Sequence, residues 1–299
     1  MGSSTFSSCV KRGLITTDFK DERTDYRPFT ETPWQVAYDY GEIFYCTASK
    51  KEEHLELAHH MIGVELAPGI VRTRLDSGSW SSDIMLSGAL YYVAAGSTIH
   101  VKKEQPIDFV LATISPECAD QMFREAGLNG PSPSMAFNMV DPGVHLKARA
   151  LRQMLLCQDE EVGSFASDFV KYAFRQIVKS HHGDQRSVRY QLAPHQVRTA
   201  LEFIEENLSS TLSVEQVAQE ALGISSYYFA HAFTEMLGCS PHKYIMDRRL
   251  SKAHELILSS VSSLADISYR VGFSSQAHMT STFSKRFGVT PGQLRQCAI

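Results

Sequence analysis

The alternation of apolar and polar positions divides the chain into three zones. Residues 40–115 contain short apolar runs separated by turn residues such as Pro68-Gly69 and Ser77-Gly78. This pattern is typical of several short antiparallel strands that form a sandwich or barrel. Residues 115–182 change to helical spacing. Residues 183–194 are polar and end in proline, so we interpret them as a linker.

The rest of the chain has the apolar spacing and the end signals of short helices. Apolar residues recur at intervals of four, three and four from Val197 to Leu208, which places them on one helix face. Ser213 and Gln216 are spaced as a capping box. Ser240-Pro241 and Thr290-Pro291 each put a capping hydroxyl before a proline at the first helical position. These signals predict helices near 195–208, 213–221, 226–236, 241–259, 264–270, 275–287 and 291–297.

Two of the predicted helix pairs have helix-turn-helix spacing, in which a short helix and a tight turn precede a helix that enters the DNA major groove. The first pair spans 213–236 and turns at Leu222-Gly223-Ile224, and the second spans 264–287 and turns at Val271-Gly272-Phe273. The spacing predicts that the last helix of the second pair packs on its supports through Phe273, Met279, Phe283 and Phe287. The opposite face of that helix is polar and suits a DNA groove: Gln276, His278, Ser281, Thr282, Lys285 and Arg286.

Charge is sorted along this helical region, although the whole chain has a net charge of -4. Residues 192–242 hold one basic and six acidic residues, a net of -5, whereas residues 243–299 hold eight basic and three acidic residues, a net of +5. DNA phosphates attract lysine and arginine. The charge pattern therefore predicts that phosphate contacts are concentrated in the last quarter of the chain.

Residues 265–295, ADISYRVGFSSQAHMTSTFSKRFGVTPGQLR, resemble the signature of the AraC/XylS family of regulators. The matching positions are Ile267, Gly272, Phe273, Phe283, Gly288, Thr290, Pro291 and Arg295. Residues 223–257 resemble the family's first helix-turn-helix and its long linking helix, with Arg249-Leu250 and Ala253 at the usual positions. The resemblance covers about a third of the chain and implies a transcription regulator that binds double-stranded promoter DNA.

Two departures from the family pattern affect the expected DNA contacts. Ala218 to Ser225 is one residue longer than usual, so we expect a looser first turn. The first recognition helix lacks arginine, and Ser281 stands where some relatives carry a base-reading arginine. In the first unit we expect DNA contacts from Ser225, Ser226, Tyr227, Tyr228 and His231. In the second unit we expect them from Ser274, Ser275, Gln276, His278, Ser281, Thr282, Lys285 and Arg286, the last two at the phosphate backbone.

The N-terminal zone resembles the cupin-like β-barrel, followed by helices, that many members of this family carry. The stretch 96–127 is similar to the closing strands of that barrel and the first following helix. The expected fold class is therefore α+β, with an all-α C-terminal domain. We expect an N-terminal arm over 1–39, the barrel and its helical tail over 40–182, and the DNA-binding domain over 195–297.

The sequence gives no support for catalysis, metal or cofactor. His54, His59 and His60 cluster, but they lack metal-cupin spacing. A glycine-rich phosphate loop and a nucleophile elbow are both missing. The six cysteines contain no C-x-x-C pair, which fits a reducing cytoplasm: Cys9, Cys46, Cys118, Cys157, Cys239 and Cys297. We find no signal peptide and no apolar stretch of about 18 residues, so we expect no membrane segment.

Three functions remain open. The first is an activator that responds to a small molecule bound in the barrel. The second is a regulator whose barrel only mediates dimerisation or protein interaction. The third is a cupin enzyme that the C-terminal unit localises on DNA; stoichiometric metal in the pure protein would support it. For a regulator, RNA polymerase, a small-molecule effector and a second copy of the chain are the expected further partners.

Overall fold

The computed structural model describes residues 15–17, 34–48, 52–103, 107–128, 132–182 and 192–297. These residues form two compact units, one built mainly of strands and the other of the C-terminal helices. The fold class expected from the sequence is confirmed. Most of the predicted linker, residues 183–191, and most of the predicted N-terminal arm lie outside the described residues.

The strand-rich unit consists of two antiparallel sheets. One has the order β1-β4-β9-β6-β7, and the other has the order β11-β8-β5-β10-β3-β2. The strands are β1 (Ile15–Thr17), β2 (Gln35–Tyr38), β3 (Gly41–Ala48), β4 (Glu52–Leu57), β5 (His60–Glu65), β6 (Gly69–Leu75), β7 (Ser81–Met85), β8 (Ala89–Val93), β9 (Thr98–Lys103), β10 (Ile107–Ile114) and β11 (Met135–Val140).

Side chains from both sheets meet in one apolar core. Alternate residues of a strand point to the same face, and here those residues come from β3, β4, β5, β8, β9 and β10. The core residues are Phe44, Cys46, Leu55, Leu57, Met61, Val93, Ile99, Phe109 and Leu111. The two sheets therefore enclose a shared interior, as the barrel prediction requires.

Three helices complete this unit: α1 (Pro116–Glu125), α2 (Pro142–Cys157) and α3 (Val162–His182). Ser115 and Asp141 cap α1 and α2 by accepting hydrogen bonds from the amides of Cys118 and Val144. One expectation was wrong, because β11 lies inside the zone predicted to be helical. This strand is stabilised by non-local pairing with β8, as in Met135 opposite Val93, which local spacing does not encode.

The C-terminal unit is entirely helical within residues 192–297. It contains α4 (Pro194–Glu206), α5 (Val214–Gln216) with a following π-helical turn (Val217–Ala221), α6 (Ser226–Leu237), α7 (Pro241–Ser259), α8 (Leu264–Arg270), α9 (Gln276–Phe287) and α10 (Pro291–Cys297). The predicted capping box forms, since Ser213 Oγ accepts from the Gln216 amide and Gln216 Oε1 accepts from the Ser213 amide. No described helix combines the length and the apolar character that a bilayer span requires.

The extra residue of the first unit lies in a helix and does not loosen the turn. The chain from Val217 to Ala221 forms a π-helical turn, which accommodates one more residue than an α-helical turn. With this residue included, the N-caps Ser213 and Ser225 have the same separation in sequence as Ser263 and Ser275 of the second unit. The looser first turn expected from the sequence was wrong, because the insertion is absorbed before the turn begins.

Candidate nucleic-acid interface

Helix α9 has one buried face and one exposed face. Met279, Phe283 and Phe287 are at most 1% exposed. Gln276, Ala277, His278, Ser281 and Lys285 are exposed. This is the orientation that the spacing of the apolar residues predicts, and it leaves a polar surface along the helix.

The first turn of α9 is fixed by a cap and a ring contact. Ser275 Oγ accepts a hydrogen bond of 3.2 Å from the His278 amide. The His278 imidazole packs edge-on against Phe273, with ring centroids 5.2 Å apart, and Phe273 itself is buried. His278 is therefore exposed but held in place, while Ser274 beside the cap is exposed. Thr282 is half-buried and donates its hydroxyl to the His278 carbonyl.

The two adjacent cations of α9 have different environments. The Arg286 side chain is only 8% exposed and forms an ion pair with Asp247 of α7. Its guanidinium also lies over the Phe287 ring, 5.2 Å from the centroid. Lys285 is exposed on the polar face of α9. Of the two, Lys285 is the one placed to reach an external anion, whereas Arg286 joins α9 to α7.

The turn between α8 and α9 packs closely on the rest of the unit. Gly272 has φ +83, and a Cβ atom at this position would lie 2.3 Å from the Leu208 carbonyl oxygen. That carbonyl accepts a hydrogen bond of 3.0 Å from Arg249 Nε, and Arg249 Nη2 donates to the Ser210 carbonyl at 2.7 Å. Glycine is required here for both its backbone conformation and its lack of a side chain. The turn thereby fixes the position at which α9 begins.

Helix α6 presents an aromatic surface in the first unit. Tyr227 is 84% exposed and Tyr228 is 44% exposed. Ser225 caps the helix by accepting from the Tyr228 amide, and Ser226 is half-buried. His231 is exposed and lies 3.8 Å from Glu235, one turn further along the helix. The five predicted residues of this unit are thus brought together at the start and along one side of α6.

Two exposed residues at the end of α8 were not predicted as site residues. Tyr269 is 63% exposed, and Arg270 is exposed beside it. Both lie off the apolar stripe to which the buried Ile267 belongs, so the same periodicity that located the core could have located them. They add an aromatic ring and a cation to the surface of the second unit.

Two of the clustered histidines of the strand-rich unit, His54 and His60, have structural partners. His60 Nδ1 accepts from the Ala95 amide at 3.3 Å and lies 2.6 Å from the Tyr92 hydroxyl oxygen, and burial lowers the pKa of His60. The His54 ring stacks on His100, with centroids 3.8 Å apart. His59 is half-buried. Among the described residues, no three potential ligands are grouped so that they could hold a metal ion.

One end of the barrel core is polar. Lys103 and Glu53 form an ion pair of 3.4 Å, and both side chains are about 95% buried. Glu65 is 3% exposed, and its Oε2 has no hydrogen-bond partner among the described residues. Burial raises the pKa of Glu65 to about 8, although Lys103 acts in the opposite direction. A buried acceptor without a donor is uncommon in proteins, so this end of the interior is a candidate effector site.

Two helix-turn-helix units joined by a long helix, with a polar recognition face, define a DNA-binding protein of the helix-turn-helix class. A family model described as a helix-turn-helix domain matches residues 218–296. The virulence regulon transcriptional activator VirF of Yersinia enterocolitica is 38% identical over 93 residues, which are 31% of this chain and 34% of VirF. The probable transcription factor PqrA of Proteus vulgaris is 30% identical over 107 residues, which are 35% of this chain and 87% of PqrA.

Among solved structures, the C-terminal domain of AraT, a response regulator from Geobacillus stearothermophilus, is 34% identical; the match covers 36% of this chain and 87% of that chain, with a TM-score of 0.33. The chain belongs to the AraC/XylS family of transcription regulators. It spans about a third of the length of the first curated relatives that it matches.

Proposed function

We propose that this protein is a transcription activator that binds promoter DNA sequence-specifically, with α9 inserted in the major groove. The observation that carries the proposal is the exposed polar face of α9 opposite a fully buried Met279 and Phe283. The activating role is supported by the description of VirF as a transcriptional activator.

The side chains of α9 divide between base reading and phosphate binding in this proposal. His278, Ser281 and Gln276 reach base edges, because a histidine, a hydroxyl and an amide can all exchange hydrogen bonds in the major groove. Lys285 contacts a phosphate. Ser274 and Ser275 contact DNA at the N-terminus of α9. In the first unit, Ser225, Ser226, Tyr227, Tyr228 and His231 form the second contact with DNA.

The salt dependence of DNA binding tests this division, because Lys285 and Arg286 are neighbours with different environments. We expect Lys285→Ala to reduce the slope of log affinity against log salt by about one unit and to leave the melting temperature unchanged. We expect Arg286→Ala to lower the melting temperature, since Asp247 loses its partner. If Lys285→Ala leaves the salt slope as in the wild type, the phosphate contact lies elsewhere.

We propose further that the barrel, within residues 40–182, binds a small effector, and that residues 195–297 form the DNA-binding domain. The apolar interior with Glu53, Glu65 and Lys103 at one end supports an amphipathic ligand, because such sites combine apolar walls with a few polar groups. RNA polymerase and a second copy of the chain are the proposed protein partners. The protein would act as a regulator in the cytoplasm, and not as an enzyme.

A further inference from the structure

The two helix-turn-helix units correspond position by position when the chain is shifted by fifty residues. The capping residues that begin and end their helices coincide under this shift. The pairs are Ser213 and Ser263, Ser225 and Ser275, and Gly238 and Gly288. Both glycines end their helices with positive φ, at 69° and 80°.

The buried faces of the two recognition helices also coincide. Each helix buries three large apolar residues at equivalent positions, all of them at most 1% exposed: Phe229 and Met279, Phe233 and Phe283, and Leu237 and Phe287. Four equivalent pairs are exposed in both helices: Tyr227 and Ala277, Tyr228 and His278, His231 and Ser281, and Glu235 and Lys285. A residue of α6 can therefore be compared directly with its counterpart in α9.

The comparison shows a reversal of charge on the exposed face. Glu235 of α6 is exposed and stands at the position of Lys285 in α9. Exposed Glu220, before the turn of the first unit, stands at the position of exposed Arg270. Helix α6 carries no lysine or arginine. His231, one turn earlier on α6, lies 3.8 Å from Glu235.

We propose that Glu235, assisted by Glu220, repels the DNA backbone and so prevents the first unit from docking on DNA of arbitrary sequence. This inference rests on the proposed DNA-binding function, in which Lys285 approaches a phosphate. The equivalent position of α6 then brings the Glu235 carboxylate toward a phosphate. The negative charges of the Glu235 carboxylate and the DNA phosphate then repel each other, and this repulsion opposes DNA binding.

The two units then have unequal tasks. The second unit attaches the protein to DNA through the exposed Lys285 and Arg270. The first unit docks only where contacts from Tyr227 and Tyr228 with matching bases outweigh the repulsion from Glu235. Specificity depends on such repulsive elements as well as on attractive ones. The carboxylates act as specificity determinants because they weaken binding to wrong sequences most.

Charge reversal in the full-length protein tests this assignment. The variants are Glu235→Lys and Glu220→Arg, which copy the residues of the second unit. The matched control is Glu160→Lys, which changes the net charge equally at an exposed position between α2 and α3. Two DNA duplexes serve as probes: one recovered from a random pool by the wild-type protein, and a scrambled duplex of the same length and composition.

We expect Glu235→Lys to raise affinity for the scrambled duplex about tenfold near 0.1 M salt and to steepen its salt slope by about one unit. We expect affinity for the selected duplex to rise less, so that the ratio of the two affinities falls. Glu220→Arg changes both quantities in the same direction, and Glu160→Lys changes neither. Thermal melting of each variant should match the wild type, since the replaced side chains are exposed.

Two outcomes overturn the inference, and they are distinguishable. If the wild-type protein discriminates between the duplexes but Glu235→Lys behaves like Glu160→Lys, Glu235 does not face DNA and only this inference is wrong. If the wild-type protein does not discriminate between the duplexes, the proposed function and the inference are both wrong.

Discussion

Replacing Met279 by aspartate is expected to destabilise the C-terminal unit by several kcal/mol. Met279 is 0% exposed, and a carboxylate at this position would be buried without a cationic partner from α9. Burying an unpaired charge is among the most destabilising single changes in a protein. Calorimetric melting of the full-length protein measures the effect as a lower transition temperature for this unit.

The neighbouring position provides a control with the same new side chain. His278→Asp places the carboxylate on the exposed face, in the first turn of α9, where a negative charge favours the helix N-terminus. We expect this variant to melt at or slightly above the wild-type temperature. If Met279→Asp melts like the wild type while His278→Asp does not, helix α9 is rotated relative to our description, and its DNA-facing side must be reassigned.

Replacing Gly272 by alanine is expected to cost about 2–5 kcal/mol of stability, from a strained φ and a steric clash together. The backbone has φ +83, and the new Cβ would lie 2.3 Å from the Leu208 carbonyl oxygen. Because backbone atoms form that contact, the turn would have to move. The hydrogen bond from Arg249 to the Leu208 carbonyl would then be weakened.

The same substitution at Gly238 separates the effect of the strained φ from that of the steric clash, because Gly238 has the same left-handed backbone conformation but no close neighbours. Its φ is +69, and a Cβ there would meet nothing within 4 Å. We expect Gly238→Ala to lower the free energy of unfolding by about 1–2 kcal/mol, because only the left-handed backbone conformation is strained. Denaturant titration of both variants gives the comparison. Equal destabilisation by the two substitutions would show that the contact between the turn and Leu208 is not formed.

The C-terminal unit could be predicted closely because its signals are local. Serine N-caps such as Ser213 and Ser240 fix helix starts within a few residues of sequence, and the four-residue spacing of Met279, Phe283 and Phe287 fixes the buried face of α9. Both kinds of signal depend on side chains that lie within two helical turns of each other. The seven helices and the direction of the polar face follow from them.

What the sequence did not predict depends on residues far apart in the chain. Arg286 and Lys285 are adjacent basic residues, and only the position of Asp247 on α7 distinguishes them. Strand β11 exists because β8 pairs with it. The polar end of the barrel core combines Glu53, Glu65 and Lys103, which lie on three different strands. Strand register decides such groupings, and single-strand patterns do not contain it.

The most direct test of the proposed DNA-reading face is a binding-site selection from random duplex DNA with the wild-type protein and His278→Ala. His278 is exposed, and its main-chain amide, which donates to the capping Ser275 hydroxyl, is kept in the alanine variant, so the substitution should leave the fold intact. The wild-type protein should recover a defined sequence. His278→Ala should recover the same sequence with relaxed preference at one or two base pairs. If both proteins recover indistinguishable sequences, His278 does not read bases, and the assignment of this face of α9 is contradicted.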